Sequence, residues 1–471
     1  MNFRADINGL RAIAVLAVIA FHFNVPGFGG GFIGVDVFFV ISGFLMTGII
    51  VGRMDRDTLK VIDFYLDRAR RIIPALLVLI LAVLVAGFYF LLPQDFLVLG
   101  KHVAVAITFC SNIILWLESG YFDNNSATKF LLHTWSLSVE WQFYLLYPLI
   151  LVAAAKLGLR RGLFWMLSVL AIASFGLSIV WSLRMPTAAF FLLPSRAWEM
   201  LMGGLVYLAP LLHPRLGRPL QIAGLAMILA SILVVSPAGW PGAWALLPTV
   251  GTALVILANR PGSRLTGNVV AQWIGLSSYS IYLWHWPLAV LIVRTENSAN
   301  WPIVTLAFGA ALLLGHLSWR FVEQWGRRAR RGTSRPAINV SGVMAARWTF
   351  PVIALIVATA AEGAVGVCVW WLRGLPARFS ADVRALEADT LPGGPYNHSC
   401  FRTSGAVAQP CVVGPGDNSQ TLVAMLGDSH AEAEVSGLVA ALPRNAPGGV
   451  FFAGYAACQP LVGAASTDPE N

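Results

Sequence analysis

Charge is scarce in this chain. Only 12% of its 471 residues are Asp, Glu, Lys or Arg, against roughly 25% in globular domains. The shortage excludes an ordinary cytosolic enzyme, because too little polar surface is left to cover a core of several hundred residues. Cysteine is scarce as well, with five in the whole chain, which excludes a disulfide-dense secreted scaffold. No spacing of His, Cys, Asp and Glu fits a metal site. A cleavable leader is also missing: the first apolar stretch carries Arg11 and His22, and no small-residue cleavage site follows it. What the chain has in abundance is apolar. Its hydrophobic fraction is 57% and its mean hydropathy is +0.70, which excludes disorder. The 26 prolines and 44 glycines argue against a coiled coil or a fibre, and 17 tryptophans suit a protein with many membrane interfaces. The composition places the chain in a bilayer.

A membrane-crossing helix needs about 20 mostly apolar residues. Eleven such segments are predicted, near 12–24, 32–52, 72–92, 139–156, 163–183, 195–212, 219–236, 242–259, 277–294, 302–322 and 348–372. The stretch 101–118 is apolar but interrupted by Ser111 and Asn112, and is expected to be interfacial or re-entrant. The net charge of +9 is not a nucleic-acid signal. With the N-terminus inside, the inner segments hold 21 of the 32 Lys and Arg, while the outer connections before residue 301 hold only Lys101, Lys129, Arg184 and Arg294. This is the positive-inside bias, and it puts residues 373–471 outside. Composition shifts near residue 373 toward polar turns, and three cysteines follow: Cys400, Cys411 and Cys458. In an oxidising compartment a Cys400–Cys411 disulfide is expected, with Cys458 left over.

Ionisable residues at membrane depth are functional candidates by default. Arg11 and His22 are 11 residues apart, which at about 100° per residue brings them to one helix face, roughly 16 Å apart along the axis. Asp36 enters the second span from the same outer side as His22, and a carboxylate beside an imidazole is the arrangement of a general base. Arg68 and Arg71, three apart on one face of the helix entering the third span, offer planar forks suited to phosphate or carboxylate. Arginines at the inner surface and a histidine at depth fit a long phosphorylated carrier with a reactive tip, such as coenzyme A.

These residues lie in motifs that resemble the acyltransferase-3 family of integral membrane acyltransferases. The motifs are Asn8-Gly9-Leu10-Arg11 through His22, then GGFIGVDVFFVISGFL over 30–45, then Leu132-His133-Thr134-Trp135 through Glu140. Ser195-Arg196-Ala197-Trp198-Glu199, Ser278-Tyr279-Ser280-Ile281-Tyr282 through His285 and Pro287, and Trp319-Arg320-Phe321-Val322-Glu323 complete the set. The resemblance implies an all-α polytopic membrane domain of ten helices over 1–326, then a basic linker and an eleventh helix over 327–372. After these it implies a periplasmic extension and the start of an α/β SGNH-hydrolase-like domain over 373–471. It also implies transfer of an acyl group, usually acetyl, from cytoplasmic acyl-CoA to a sugar hydroxyl of an exported glycan such as lipopolysaccharide O-antigen or another exopolysaccharide. Acetyl-CoA would be the donor substrate, and no permanently bound cofactor, metal or nucleic-acid partner is expected. His22 and Asp36 would be catalytic, Arg11, Arg68 and Arg71 would bind acyl-CoA, and Glu140, His133, Tyr282, His285 and Glu323 would support the site. The location implied is a bacterial inner membrane, with the N-terminus cytoplasmic. Trp141, Asp67 and Trp325 depart from the family's usual residues without touching His22 or the arginine pair.

Thr421 to Leu426 is an apolar run that reads as a buried strand leading into Gly427-Asp428-Ser429-His430. A serine at a strand's carboxyl end is where α/β folds put their chemistry. The motif resembles the first SGNH block, with Ser429 as nucleophile. The chain ends 42 residues after Ser429, so the expected base and its orienter would lie beyond residue 471. Two rival readings are an anion or acyl-group transporter, which the buried charges suit, and a membrane-anchored carbohydrate esterase. The serine motif argues against the first, and the charges of the first two spans argue against the second.

Overall fold

The structure, a computed structural model, describes residues 3–119, 126–210, 212–324, 343–384, 401–402, 411–413, 421–427, 434–435, 438–439, 441–443 and 446–455. The chain divides into two compact units, Met1–Leu375 and Pro376–Asn471. In the first, the helices are α1 (Ala5–His22), α2 (Gly34–Met54), α3 (Val61–Phe90), α4 (Pro93–Ile107), α5 (Ser111–Glu118), α6 (Thr134–Lys156), α7 (Leu163–Arg184) and α8 (Pro186–Phe191). They continue as α9 (Leu193–Leu208), α10 (Gly217–Val234), α11 (Leu246–Ala258), α12 (Arg264–Gly267), α13 (Val269–Arg294), α14 (Trp301–Ser318) and α15 (Val343–Trp371).

Each of the eleven predicted spans is a helix. Among the described residues, nine are long and apolar enough to cross a membrane. The other two, α9 and α11, have 16 and 13 residues. Proline explains the first: Pro186 and Pro194 each sit in the opening turn of a helix, splitting one apolar run into α8 and α9. The segment 101–118 contains a break, but at Thr108–Cys110, where Phe109 takes a positive φ of 53°. Ser111 and Asn112 lie inside α5 and bind it to α6. Ser111 N donates to Ser138 Oγ at 3.2 Å, and the Asn112 and Gln142 amides bond each other.

A helix that is apolar all round belongs in the interior. α1 is such a helix, with buried residues on every side from Asp6 to Ala20, and it packs against α2 and α13. The long contact between α2 and α9 depends on small residues. A Cβ at Gly43 would fall 1.7 Å from the Met200 carbonyl, and one at Gly203 would fall 2.0 Å from that of Val40, so only glycine lets these backbones approach. The peripheral helices show the opposite pattern, exposing Leu183, Leu306 and Ile172 at 82%, 74% and 72%. In water such surfaces would be adhesive; hydrocarbon is their natural solvent. α14 ends in a π-helical turn, Trp319–Glu323, that buries the Glu323 carboxylate against Ser280.

The second unit holds a small sheet of β1 (Phe401–Arg402), β2 (Cys411–Val413), β3 (Thr421–Gly427) and β4 (Gly449–Tyr455). β4 pairs in parallel with β3 and β1 and antiparallel with β2. The run at 421–426 is a strand as expected, but not a buried one: Leu422 and Leu426 are 45% and 58% exposed, and β3 is paired only along β4 among the described residues. Val450 and Phe452 of β4 make the small core with Val435 and Val439. Cys411 is disulfide-bonded; Cys400, Cys458 and the Asp428-Ser429-His430 motif lie outside the described residues.

Candidate active site

Two connected cavities enter the first unit. The wider, about 720 Å³, is lined by Arg4, Arg53, Arg56, Arg68 and Arg71, with Asp67 the only carboxylate in its wall. Asp67 pairs with Arg53 at 2.6 Å. The Nε of Arg68 is buried with no hydrogen-bond partner, a donor available to an anion. Arg11, Leu45, Met46, Arg68 and Arg71 also line a second, narrower cavity of about 90 Å³. Thus α1 and α3 bring the three sequence-predicted arginines to one passage, as the helical spacing required.

The narrow cavity is walled by hydroxyls and a carboxylate: Ser42, Ser136, Glu140, Tyr144, Ser278, Tyr279 and Tyr282. Glu140 accepts short hydrogen bonds from Ser42 and from Tyr144, one turn further along α6. Ser42 and Tyr144 were not singled out in the sequence, although the four-residue spacing of Glu140 and Tyr144 puts both on one face. Beyond Tyr282, which lines the cavity, come three imidazoles that do not line it. The Tyr282 hydroxyl donates to the His133 carbonyl at 3.0 Å and shares a 2.7 Å hydrogen bond with Ser136. Its ring centroid is 5.6 Å from that of His133 and 5.2 Å from that of His285. His285, fully buried, reaches His22: Nε2 of His285 lies 3.0 Å from Nδ1 of His22. Trp286 stands edge-on to His22 at 4.7 Å between centroids. The structure therefore places Arg11, Arg68, Arg71, Glu140 and Tyr282 along one route, and side-chain contacts continue it from Tyr282 to His133, His285 and His22, with Glu323 to one side on Ser280.

Asp36 is not where the sequence reading put it. Its Oδ1 accepts from Arg196 Nη2 at 2.9 Å, and Arg196 Nη1 lies 3.3 Å from Glu199 Oε1. All three side chains are fully buried. The guanidinium also sits over the rings of Phe39 and Trp135, at 5.5 and 5.9 Å. Asp36 thus ties α2 to α9, and the orienting contact of His22 comes from α13. A buried Arg with Glu three residues later, inside an apolar segment, was the signal for this partner.

On the far side of the imidazoles, the segment before α6 is tied down. Trp286 Nε1 donates to the Lys129 carbonyl at 2.8 Å. Arg294, at the end of α13, pairs with both oxygens of Asp95 and reaches the Thr128 carbonyl. Lys129 also pairs with Glu118, which Lys101 and His102 flank as well. Partial burial opposes charge on Glu118, but hydrogen bonds and charge from His102, with Lys101 and Lys129, prevail and hold its carboxyl well below the usual range.

The family profile described as an acyltransferase domain matches residues 4–320, which contain every residue of this route. The chain belongs to the acyltransferase-3 family. A second profile, an SGNH domain of the kind fused to acyltransferase-3 domains, matches residues 399–471. Similar proteins include the peptidoglycan O-acetyltransferase OatA of Listeria monocytogenes, 31% identical over 68% of this chain and 55% of the relative. The putative peptidoglycan O-acetyltransferase YrhL of Bacillus subtilis is 30% identical over 68% of the chain and 54% of its own length. The O-acetyltransferase OatA of Staphylococcus aureus is 28% identical over 67% and 56%. The chain spans about half the length of these relatives. No solved structure matches it.

Proposed function

We propose that this acyltransferase-3 protein is a glycan O-acetyltransferase that takes its acetyl group from acetyl-CoA on the cytoplasmic side of a bacterial cell membrane and delivers it to a hydroxyl on the other side. The observation that carries this reading is an arginine-rich mouth leading to a cavity whose lining residue Tyr282 packs against His285, the partner of His22. The CoA phosphates would lie among Arg68, Arg71 and Arg11, whose guanidinium forks suit phosphate oxygens. The pantetheine arm would run past Glu140 and Tyr282, placing the thioester toward His22. In the transfer the acyl C–S bond breaks and a C–O bond forms. His22 takes the proton from the accepting hydroxyl and returns it to the thiolate of CoA. The accepting hydroxyl would be that of an acceptor on the outer side, and the Ser429 motif of the SGNH part offers a hydroxyl for passing the acetyl group on to the glycan. The relatives' names favour a peptidoglycan-type acceptor over the lipopolysaccharide or exopolysaccharide expected from the sequence. The charge asymmetry supports a cytoplasmic N-terminus.

The test is CoA release from radiolabelled acetyl-CoA by the purified full chain and by His22→Ala, with label transfer to peptidoglycan fragments measured in parallel. Rapid CoA release by the wild type and its loss in the variant are expected. Equal release by both would remove His22 from the chemistry, and an inert wild type that moves labelled anions into vesicles would make the protein a transporter.

A further inference from the structure

The hydrogen-bond chain through His22 and His285 decides which nitrogen of each ring carries a hydrogen. This inference rests on the acyl-transfer reading above. Nδ1 of His285 lies against the carbonyl oxygen of Tyr282, and a carbonyl has no hydrogen to give. Nδ1 of His285 is therefore the donor. Pro287, inside α13, interrupts the helical hydrogen-bond ladder close by, at the turn where this contact forms. Among the described residues no carboxylate pairs with either ring, and a buried imidazolium without a partner is costly. A neutral imidazole holds one N–H only. Nε2 of His285 is then an acceptor, and the hydrogen between the two rings belongs to Nδ1 of His22.

The ring geometry agrees. The two rings are 20° from coplanar and their centroids are 5.2 Å apart. With 3.0 Å between the nitrogens, that separation corresponds to rings meeting edge to edge, so the hydrogen bond runs along the ring planes as a lone pair requires. Trp286, edge-on to His22, restrains the ring from turning. The other titratable groups facing the pair are His133, 5.9 Å from His285 between centroids, and Tyr282.

We infer that His285 is a positioning residue, which holds His22 as its Nδ1–H tautomer and leaves Nε2 of His22 bare as the base or acyl-accepting nitrogen. The chain runs from the Tyr282 backbone carbonyl through His285 to His22. It performs, without a charged partner, the orienting that a carboxylate performs in a serine hydrolase triad.

The experiment combines nitrogen-15 NMR of histidine-labelled full-length protein with acetyl-CoA-dependent CoA release, for the wild type, His285→Leu and His285→Gln. The resonances missing from His22→Ala assign those of His22. In the wild type, Nδ1 of His22 should be protonated and Nε2 bare at neutral pH. His285→Leu, which removes the acceptor, should mix the tautomers and lower kcat by about 10²-fold with KM little changed. His285→Gln puts an accepting amide oxygen near the place of Nε2 and should recover kcat to within about tenfold of wild type. An Nε2–H tautomer in the wild type would overturn the assignment, as would undiminished kcat in His285→Leu, or a folded His285→Gln no better than His285→Leu. An Nδ1–H tautomer in a wild type that releases no CoA would uphold the role of His285 while removing acyl-CoA as the donor.

Discussion

Two polar clusters tie the helices of the bundle together, and they use opposite means. Asp36, Arg196 and Glu199 join α2 to α9 with charges held away from solvent. His22 and His285 join α1 to α13 through a hydrogen bond between two rings, neutral on the assignment inferred above. Charges in a low-dielectric interior must be matched, so the first cluster is committed to its own members. A neutral relay leaves one nitrogen lone pair for another molecule. Burial alone therefore does not mark a reactive group; what matters is how much of its bonding capacity its neighbours consume.

The largest effect expected is on the ion cluster. Arg196→Ala leaves two carboxylates without a counter-charge and should destabilise the protein by about 3–5 kcal/mol, seen as loss of folded protein in thermal unfolding of the detergent-solubilised chain. Replacing all three by apolar residues of similar size (Asp36→Leu, Arg196→Met, Glu199→Leu) should restore most of that stability. A triple variant no better than Arg196→Ala would mean that the cluster does more than balance charge.

The histidine side of the comparison should behave the other way. His22→Ala is expected to reduce CoA release by about 10²–10⁴-fold while leaving the unfolding temperature close to wild type. A large drop in that temperature would make the pair as structural as the ion cluster. A step down in size is the arginine mouth. Arg68→Ala should raise KM for acetyl-CoA about ten- to hundredfold, the loss of a hydrogen bond to a charged group. Arg68→Lys should recover only part of it, since an ammonium lacks the planar fork. Unchanged KM in both would place the phosphates elsewhere.

The smallest effect concerns Glu118, at the tie beyond the imidazoles. Its folded-state pKa is depressed by His102, Lys101 and Lys129. Its contribution to stability is therefore complete above the carboxylate range of an unfolded chain, about pH 4.3, and is lost as pH falls below that toward the folded value. Glu118→Gln should flatten the acid limb of the stability profile and change little at neutral pH. An acid limb identical to wild type would show that the contacts around Glu118 carry no net stabilisation.

Much of the site was legible in the helices one at a time. Arg11 with His22, and Arg68 with Arg71, share faces because the helical period is a local property. The positions of the spans followed from apolar length, and the shortness of α9 from proline. The partners of the key side chains were not legible in the same way. Asp36 and His22 enter from one side, which suggests a pair, yet the Asp36 carboxylate bonds Arg196, 160 positions away. Ser42 and Tyr144 are not legible in the sequence, because a hydroxyl in an apolar helix carries no signal until a carboxylate stands beside it. In the second unit, apolar content indicated strand β3 but not its exposure, since what covers a strand's faces is settled by distant parts of the chain.

By itself the sequence determined that this protein lives in a bilayer, where its helices lie, and which residues share each helix face. Hydropathy, length and the 3.6-residue period decide these within short windows of chain. Only the tertiary structure decided that His22 meets His285, 263 positions away, and that Asp36 does not serve it. The choice between two buried partners depends on how helices cross and how closely glycines let them approach, and no local window contains that information.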